Sequence, residues 1–243
     1  MTEDRNHWHC AYCEELPGSD TAAVRLVGRA ALLNRTHWGD YRDLTVGFMG
    51  GDVDLRARVA QVAQEWSDAA MGGIRFSFWL GMDVDPRPAD IRVAFMPGRG
   101  SWSYLGTDAL SIANDHPTMN FGWLTPDLPK EDFRAVVLHE FGHALGLIHE
   151  HQNPHKAVNW NVAAVTADLA GPPNNWDEDT ISNNMFRRYE KDDLFATEVD
   201  PVSVMMYPIP QNWTEDDFQV LLSSSVLSAN DRALIAAAYP PLD

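Results

Sequence analysis

Apolar residues change period along the middle of the chain. "LTVGFMG" is a short apolar run at residues 44–50, and "DVDLRARVAQVAQEWSDAA" then places Leu55, Val59, Val62, Ala63 and Trp66 at helical spacing. The pattern predicts a strand over 44–50 and a helix over 52–70. "IRFSFWL" alternates as a second strand, "ADIRVAFMPG" reads as a third, and "SWSYLGTDAL" and "TMNFGWL" read as two shorter ones broken by Gly and Pro. A strand, a helix and then several strands predict an α/β (α+β) fold with a mixed twisted sheet. "KEDFRAVVLHEFGHALGLI" follows with a helical pattern, Pro129 ahead of it as a start signal and Gly146 near its end as a stop.

After residue 150 regular structure thins. "WNVAAVTADLA" and "SANDRALIAAAYP" are the credible helices, the second opening with Ser228 and Asp231 as a capping pair. The chain between them is rich in Pro, Asn and acids, which predicts a second lobe built mostly from loops. The expected organisation is a tail over 1–35, an N-terminal lobe over about 36–148 and a C-terminal lobe over about 149–243. The cleft would lie between the lobes, with residues 139–151 on its floor.

Composition narrows the partners. A chain of 243 residues, 45% hydrophobic, can bury its own core and reads as a monomer. Lys+Arg 18 against Asp+Glu 35 gives a net charge of -17, which repels nucleic acid and anionic membranes. The acidic runs lack the spacing of a calcium loop and read as solvated surface. No stretch approaches the ~18 consecutive apolar residues of a membrane span, and the start "MTEDRNHWHCAYC" lacks an apolar signal core. Only Cys10 and Cys13 occur, so the fold does not rest on a disulfide framework. "HWHCAYC" holds half of a zinc-ribbon spacing without the second half, which leaves a local disulfide, free thiols or a latency thiol as readings of the pair.

"HEFGHALGLIHEH", residues 139–151, carries the chemistry. His139 and His143 stand four apart, so their rings leave the same face of a helix and can share one ion, with Glu140 beside them. A straight helix would carry His149 away. Gly146 can take φ > 0, end the helix and turn the chain back, so that His149 faces the same ion. Three neutral nitrogens on Zn²⁺ leave one position open for water, whose pKa falls to roughly 7, and Glu140 is placed to act as the general base. The extended HExxHxxGxxH pattern fixes five positions of eleven, each with a mechanical reason.

This pattern is the metzincin zinc signature, and the chain resembles the astacin-like branch of those metallopeptidases, of bacterial or fungal type given the lack of catalytic-domain disulfides. Glu150, directly after the third histidine, is the astacin-type residue, which in the family contacts a new N-terminus exposed by propeptide removal. "SVMMY" at 203–207 resembles the Met-turn pattern SxMxY, which assigns Met205 to the floor beneath the metal and Tyr207 to oxyanion stabilisation and to possible zinc ligation. The resemblance spans roughly residues 36–240. It implies a secreted zinc metalloendopeptidase that cleaves extended polypeptides, with the substrate adding to an edge strand near "SWSYLG". The alternatives are a zinc-stabilised binding module with vestigial activity, or a zinc hydrolase acting on another amide or ester.

Overall fold

A computed structural model of the chain describes residues 13–14, 31–155, 157–172, 174–190, 192, 194–196 and 199–241. Its strands are β1 (Cys13–Glu14), β2 (Ala31–Leu33), β3 (Asp43–Phe48), β4 (Arg75–Trp79), β5 (Ile91–Ala94), β6 (Ser101–Tyr104), β7 (Met119–Phe121) and β8 (Leu194–Ala196). Its α-helices are α1 (Val53–Ala69), α2 (Lys130–Ala144), α3 (Val162–Ala170), α4 (Glu178–Ile181) and α5 (Ala229–Ala238).

Alternation builds the central sheet. Leu44, Val46 and Phe48 of β3 are buried, and β3 pairs in parallel with β4 (Val46 opposite Phe78) and with β5 (Val46 opposite Ile91). Parallel neighbours need a crossover, and α1 supplies it between β3 and β4. Asp52 starts that helix by accepting the Leu55 N–H at 2.8 Å, and Val59, Ala63 and Trp66 turn inward. The full order is β1-β6-β7-β5-β3-β4, with every pair parallel except β6 and β7. Cys13 and Glu14 lie along the outer edge of β6, opposite Ser103 and Tyr104.

α2 packs across α1 and the sheet. The Trp66 indole N–H donates to the Leu138 carbonyl at 2.9 Å, and the Phe141 ring meets Phe76 edge-on at 5.1 Å. A second hydrophobic core forms among the residues after α2 and includes Val165, Leu169, Ile181, Met206, Ile209 and Trp213. Trp102 of β6 packs into that core, so β6 links the sheet to it.

The predicted elements are present, most with trimmed ends, while β3 starts one residue early, at Asp43. Asp52 is a cap outside α1, and β3 ends at Phe48, before Gly51 turns the chain at φ +73°. The run "SWSYLGTDAL" divides: β6 stops at Tyr104, and Gly106–Ser111 is a 3-10 helix that starts where Gly106 takes φ +45° against the Thr36 carbonyl. Short α4 and the ribbon of β2 with β8 were not predicted. β2 is three residues long, too short to show a period, but Ala31, Leu32 and Leu33 are all buried. No helix among the described residues is long and apolar enough to cross a membrane.

The capping pair of α5 does more than start a helix. The Ser228 hydroxyl accepts the Asp231 N–H, while the Asp231 carboxylate accepts the Ser228 N–H at 2.9 Å, the Ser203 hydroxyl at 2.6 Å and the Val204 N–H at 3.1 Å. Buried Asp231 thereby ties α5 to the loop at 203–207. Asp231→Ala strands these donors away from water and is expected to cost about 3 kcal/mol. Urea unfolding of the two proteins measures the difference, and a change below about 0.5 kcal/mol would show that the tie carries no stability.

Candidate metal centre

The site begins with how α2 ends. Gly146 lies at φ +92°, a conformation open to a residue without Cβ, and its N–H bonds to the His143 carbonyl at 2.8 Å. The Leu147 N–H bonds to the Gly142 carbonyl at 3.0 Å, and the two bonds together close a Schellman motif. Two distant aromatic donors satisfy further carbonyls at this end: Trp38 Nε1 bonds to Ala144 at 2.8 Å and the Tyr239 hydroxyl to Leu145 at 2.8 Å.

Past the turn, the chain is held on two sides. The Leu33 N–H donates to the Gly146 carbonyl at 2.9 Å, and the Ile148 N–H donates to the Ala31 carbonyl at 3.1 Å, so β2 straps residues 146–148. The Glu150 N–H then bonds to the Met205 carbonyl at 3.0 Å. His149 sits between the strap and the 203–207 loop and faces the two helical histidines.

The ligating nitrogens of His139, His143 and His149 all lie within 4.8 Å of one another, with Nε2 of His139 and of His143 3.1 Å apart. The far side of each helical ring is engaged. Nδ1 of His139 lies 2.8 Å from the Val204 carbonyl, and Nδ1 of His143 lies 2.7 Å from the Leu147 carbonyl. A carbonyl accepts only, so each Nδ1 carries the proton and each Nε2 presents a lone pair to the centre. Burial pushes the His139 pKa down to about 4, while burial first, then neighbouring imidazoles, holds those of His143 and His149 well below the usual value. Neutral rings are the form that binds metal, and the three together could hold one ion.

The other sequence candidates border this cluster. Glu140 and Tyr207 are buried and, with His139, line one cavity. The Tyr207 ring lies 4.2 Å from the His149 ring and 5.8 Å from that of His139, centre to centre. Met205 passes under α2: a Cβ on Gly142 would collide with its sulfur, so the glycine between the helical histidines admits the methionine. The Glu150 carboxyl is buried. One oxygen accepts the Asp200 N–H at 2.9 Å and the Asn153 amide at 3.1 Å, the other has no hydrogen-bond partner among the described residues, and burial pushes its pKa up to about 8. Cys10 lies outside the described residues, and for Cys13 the backbone alone is described, on the edge of β6.

Sequence reasoning missed the β2 strap and His151. The His151 ring stacks on Tyr207 at 5.1 Å and bonds through Nε2 to the Asn184 carbonyl at 2.8 Å. Its place in the crowded histidine run was the available signal, but the three-ligand pattern had no role for it.

Two solved structures of myroilysin, a metzincin-type metalloprotease, are similar to this chain. One is 42% identical, covers 87% of this chain and 99% of its own, and superposes with a TM-score of 0.79. The other, a crystal structure, is 41% identical, covers 84% of this chain and 86% of its own, and has a TM-score of 0.62. The chain belongs to the metzincin metalloproteases. No protein-family model and no curated protein matches it. The metzincin fold accounts for the mixed, mostly parallel sheet lying beside the helix that carries the first two histidines.

The histidine cluster makes one expectation direct. His149→Ala should reduce bound metal from about one equivalent to a small fraction of one, because two imidazoles remain on the helix face. Metal analysis of the folded variant after dialysis checks this, and retention of a full equivalent would mean that His149 is not a ligand.

Proposed function

We propose that this metzincin is an astacin-like zinc metalloendopeptidase, which hydrolyses internal peptide bonds of extended polypeptides. The observation that carries the reading is the convergence of three buried, neutral imidazoles on one point that shares a cavity with Glu140 and Tyr207. Zinc suits this donor set: imidazole nitrogen is a borderline-soft ligand, and each Nδ1 of the helical pair is fixed as a donor to a carbonyl. His139, His143 and His149 would hold the ion, which when bound acidifies water and polarises the scissile carbonyl.

The chain's own groups supply the rest. Glu140 accepts a proton from the attacking water as the water oxygen bonds to the carbonyl carbon, then gives that proton to the amine nitrogen as the C–N bond breaks. Tyr207, held between His149 and His151, donates its hydroxyl proton in a hydrogen bond to the oxyanion. Met205 supports the helical histidines from below. A cavity bordered by a carboxylate and a phenol favours this reading over a closed structural zinc site, since among the described residues the cluster has three ligating groups.

An extended substrate would add to the outer edge of β6, by backbone hydrogen bonding. Cys13 and Glu14 lie along that edge, which supports a regulatory role for the tail as an occupant of the substrate position. The sulfur chemistry of Cys10 and Cys13 belongs to that proposal.

Glu140→Gln should keep zinc but lower kcat on the order of 10²-fold or more, because an amide cannot take the proton. Near-normal hydrolysis by the zinc-loaded variant would remove Glu140 as the base. Tyr207→Phe should lower kcat by ~10²-fold with little change in KM, since the phenol serves the charge that develops after substrate binds. Steady-state kinetics on one peptide gives both parameters, and an unchanged kcat would assign Tyr207 to packing.

A further inference from the structure

The cavity beside the metal cluster extends along α2, away from the histidines, and its volume is about 230 Å³. Sites that take drug-sized molecules run to ~300–1,000 Å³, so this one suits a single side chain. Val136, Ala135 and Leu222 give it apolar walls, and Trp123 adds an aromatic face. Its far end is acidic: Glu131 and Asp132, in the first turn of α2, both line it.

Helix geometry sets the distances. Asp132 precedes His139 by seven residues on the same face, about 10 Å along the axis at 1.5 Å per residue. A short side chain entering beside the metal would not reach it, whereas a long one would. The charge at that end survives its neighbours. The partial positive charge of a helix N-terminus is roughly half a unit, less than either carboxylate. Arg134 is held first by Glu65, through a pair of hydrogen bonds, and by the Ser225 carbonyl, with a smaller charge interaction with Glu131, so Asp132 is the carboxylate that keeps its charge for an incoming cation. Lys130 lines the groove on the other side of α2, with Arg58 and Asp68.

We infer that this cavity selects a lysine or arginine side chain on the polypeptide substrate, with the aliphatic stem along Val136 and Leu222 and the cation at Asp132 and Glu131. The inference rests on the proteolytic reading above and adds the class of residue recognised. Stem burial with a solvated cationic head is the ordinary behaviour of both side chains, and Trp123 offers a further cation contact. The position follows from Glu140. A group that protonates the leaving amine must lie beside its nitrogen, so the cavity that Glu140 lines receives the residue contributing that nitrogen, immediately after the cleaved bond.

The test uses the full chain loaded with zinc and a set of peptides that differ at that one residue. Lys and Arg peptides should exceed the Leu peptide in kcat/KM by about 10-fold and the Asp peptide by about 100-fold. The Lys-to-Leu ratio should fall as salt is raised, which a purely steric preference would not do. In Glu131→Gln/Asp132→Asn the ratio should approach about 1, and Asp132→Lys should turn the preference toward acidic residues. Both positions are in the first turn at the surface, and a matching unfolding curve verifies that each variant folds. Cleavage without cation preference, or a Lys-to-Leu ratio unmoved in the folded variants, overturns the inference alone. Failure to cleave any peptide overturns the proteolytic reading and the inference with it.

Discussion

The site depends on the reversal of the chain at Gly146. A residue ten positions beyond His139 on a continued helix would lie about 15 Å further along the axis and on another face, at 1.5 Å and about 100° per residue. His149 reaches the same point as His139 because the chain enters a positive φ at Gly146 and leaves the helix through a Schellman turn. A helix end also exposes carbonyls that need donors. The Trp38 indole and the Tyr239 hydroxyl meet two of them from opposite ends of the chain, so the overall fold fixes where the helix stops.

How much of this could be read from the sequence follows the range of each interaction. The α2 histidines were legible because helical periodicity is local, and the turn at Gly146 because glycine past a helix end has a specific conformational use. The cap at Ser228 and Asp231 was legible for the same reason, with partners three residues apart. The second job of Asp231, holding Ser203 and Val204, was hidden because those residues lie 28 and 27 positions away. β2 was hidden for both reasons: it is too short to show a period, and it pairs with β8 and the segment after α2, far away in sequence. Tyr207 and Met205 were singled out through resemblance to a family pattern, while the contact between Met205 and Gly142 needed the folded chain.

Burial gives the histidine cluster its chemical form at a cost elsewhere. Desolvation disfavours imidazolium, so the rings stay neutral and their lone pairs remain available to a cation. The same dry surroundings raise the Glu150 carboxyl toward its neutral form, with two of its hydrogen bonds opposing the shift. A folded-state pKa of about 8 against an ordinary 4.5 means the folded chain binds more protons than the unfolded one between those values. In that window the contribution of Glu150 to stability falls as pH rises.

The 203–207 loop meets both sides of the turn at Gly146 through the backbone around the histidine cluster. The Met205 carbonyl accepts from Glu150, and the Val204 carbonyl accepts from His139, so adjacent residues of one loop hold both the helical and the post-turn parts of the triad. That loop is itself fixed to α5 by Asp231, and α5 packs on α1 in the main core through Leu234 and Ile235. A displacement of that loop therefore moves two carbonyl acceptors at once, with consequences for the orientation of His139 and the position of His149. The geometry of the histidine cluster and the seating of the 203–207 loop are coupled, although the three histidines themselves lie on α2 and the five residues after it.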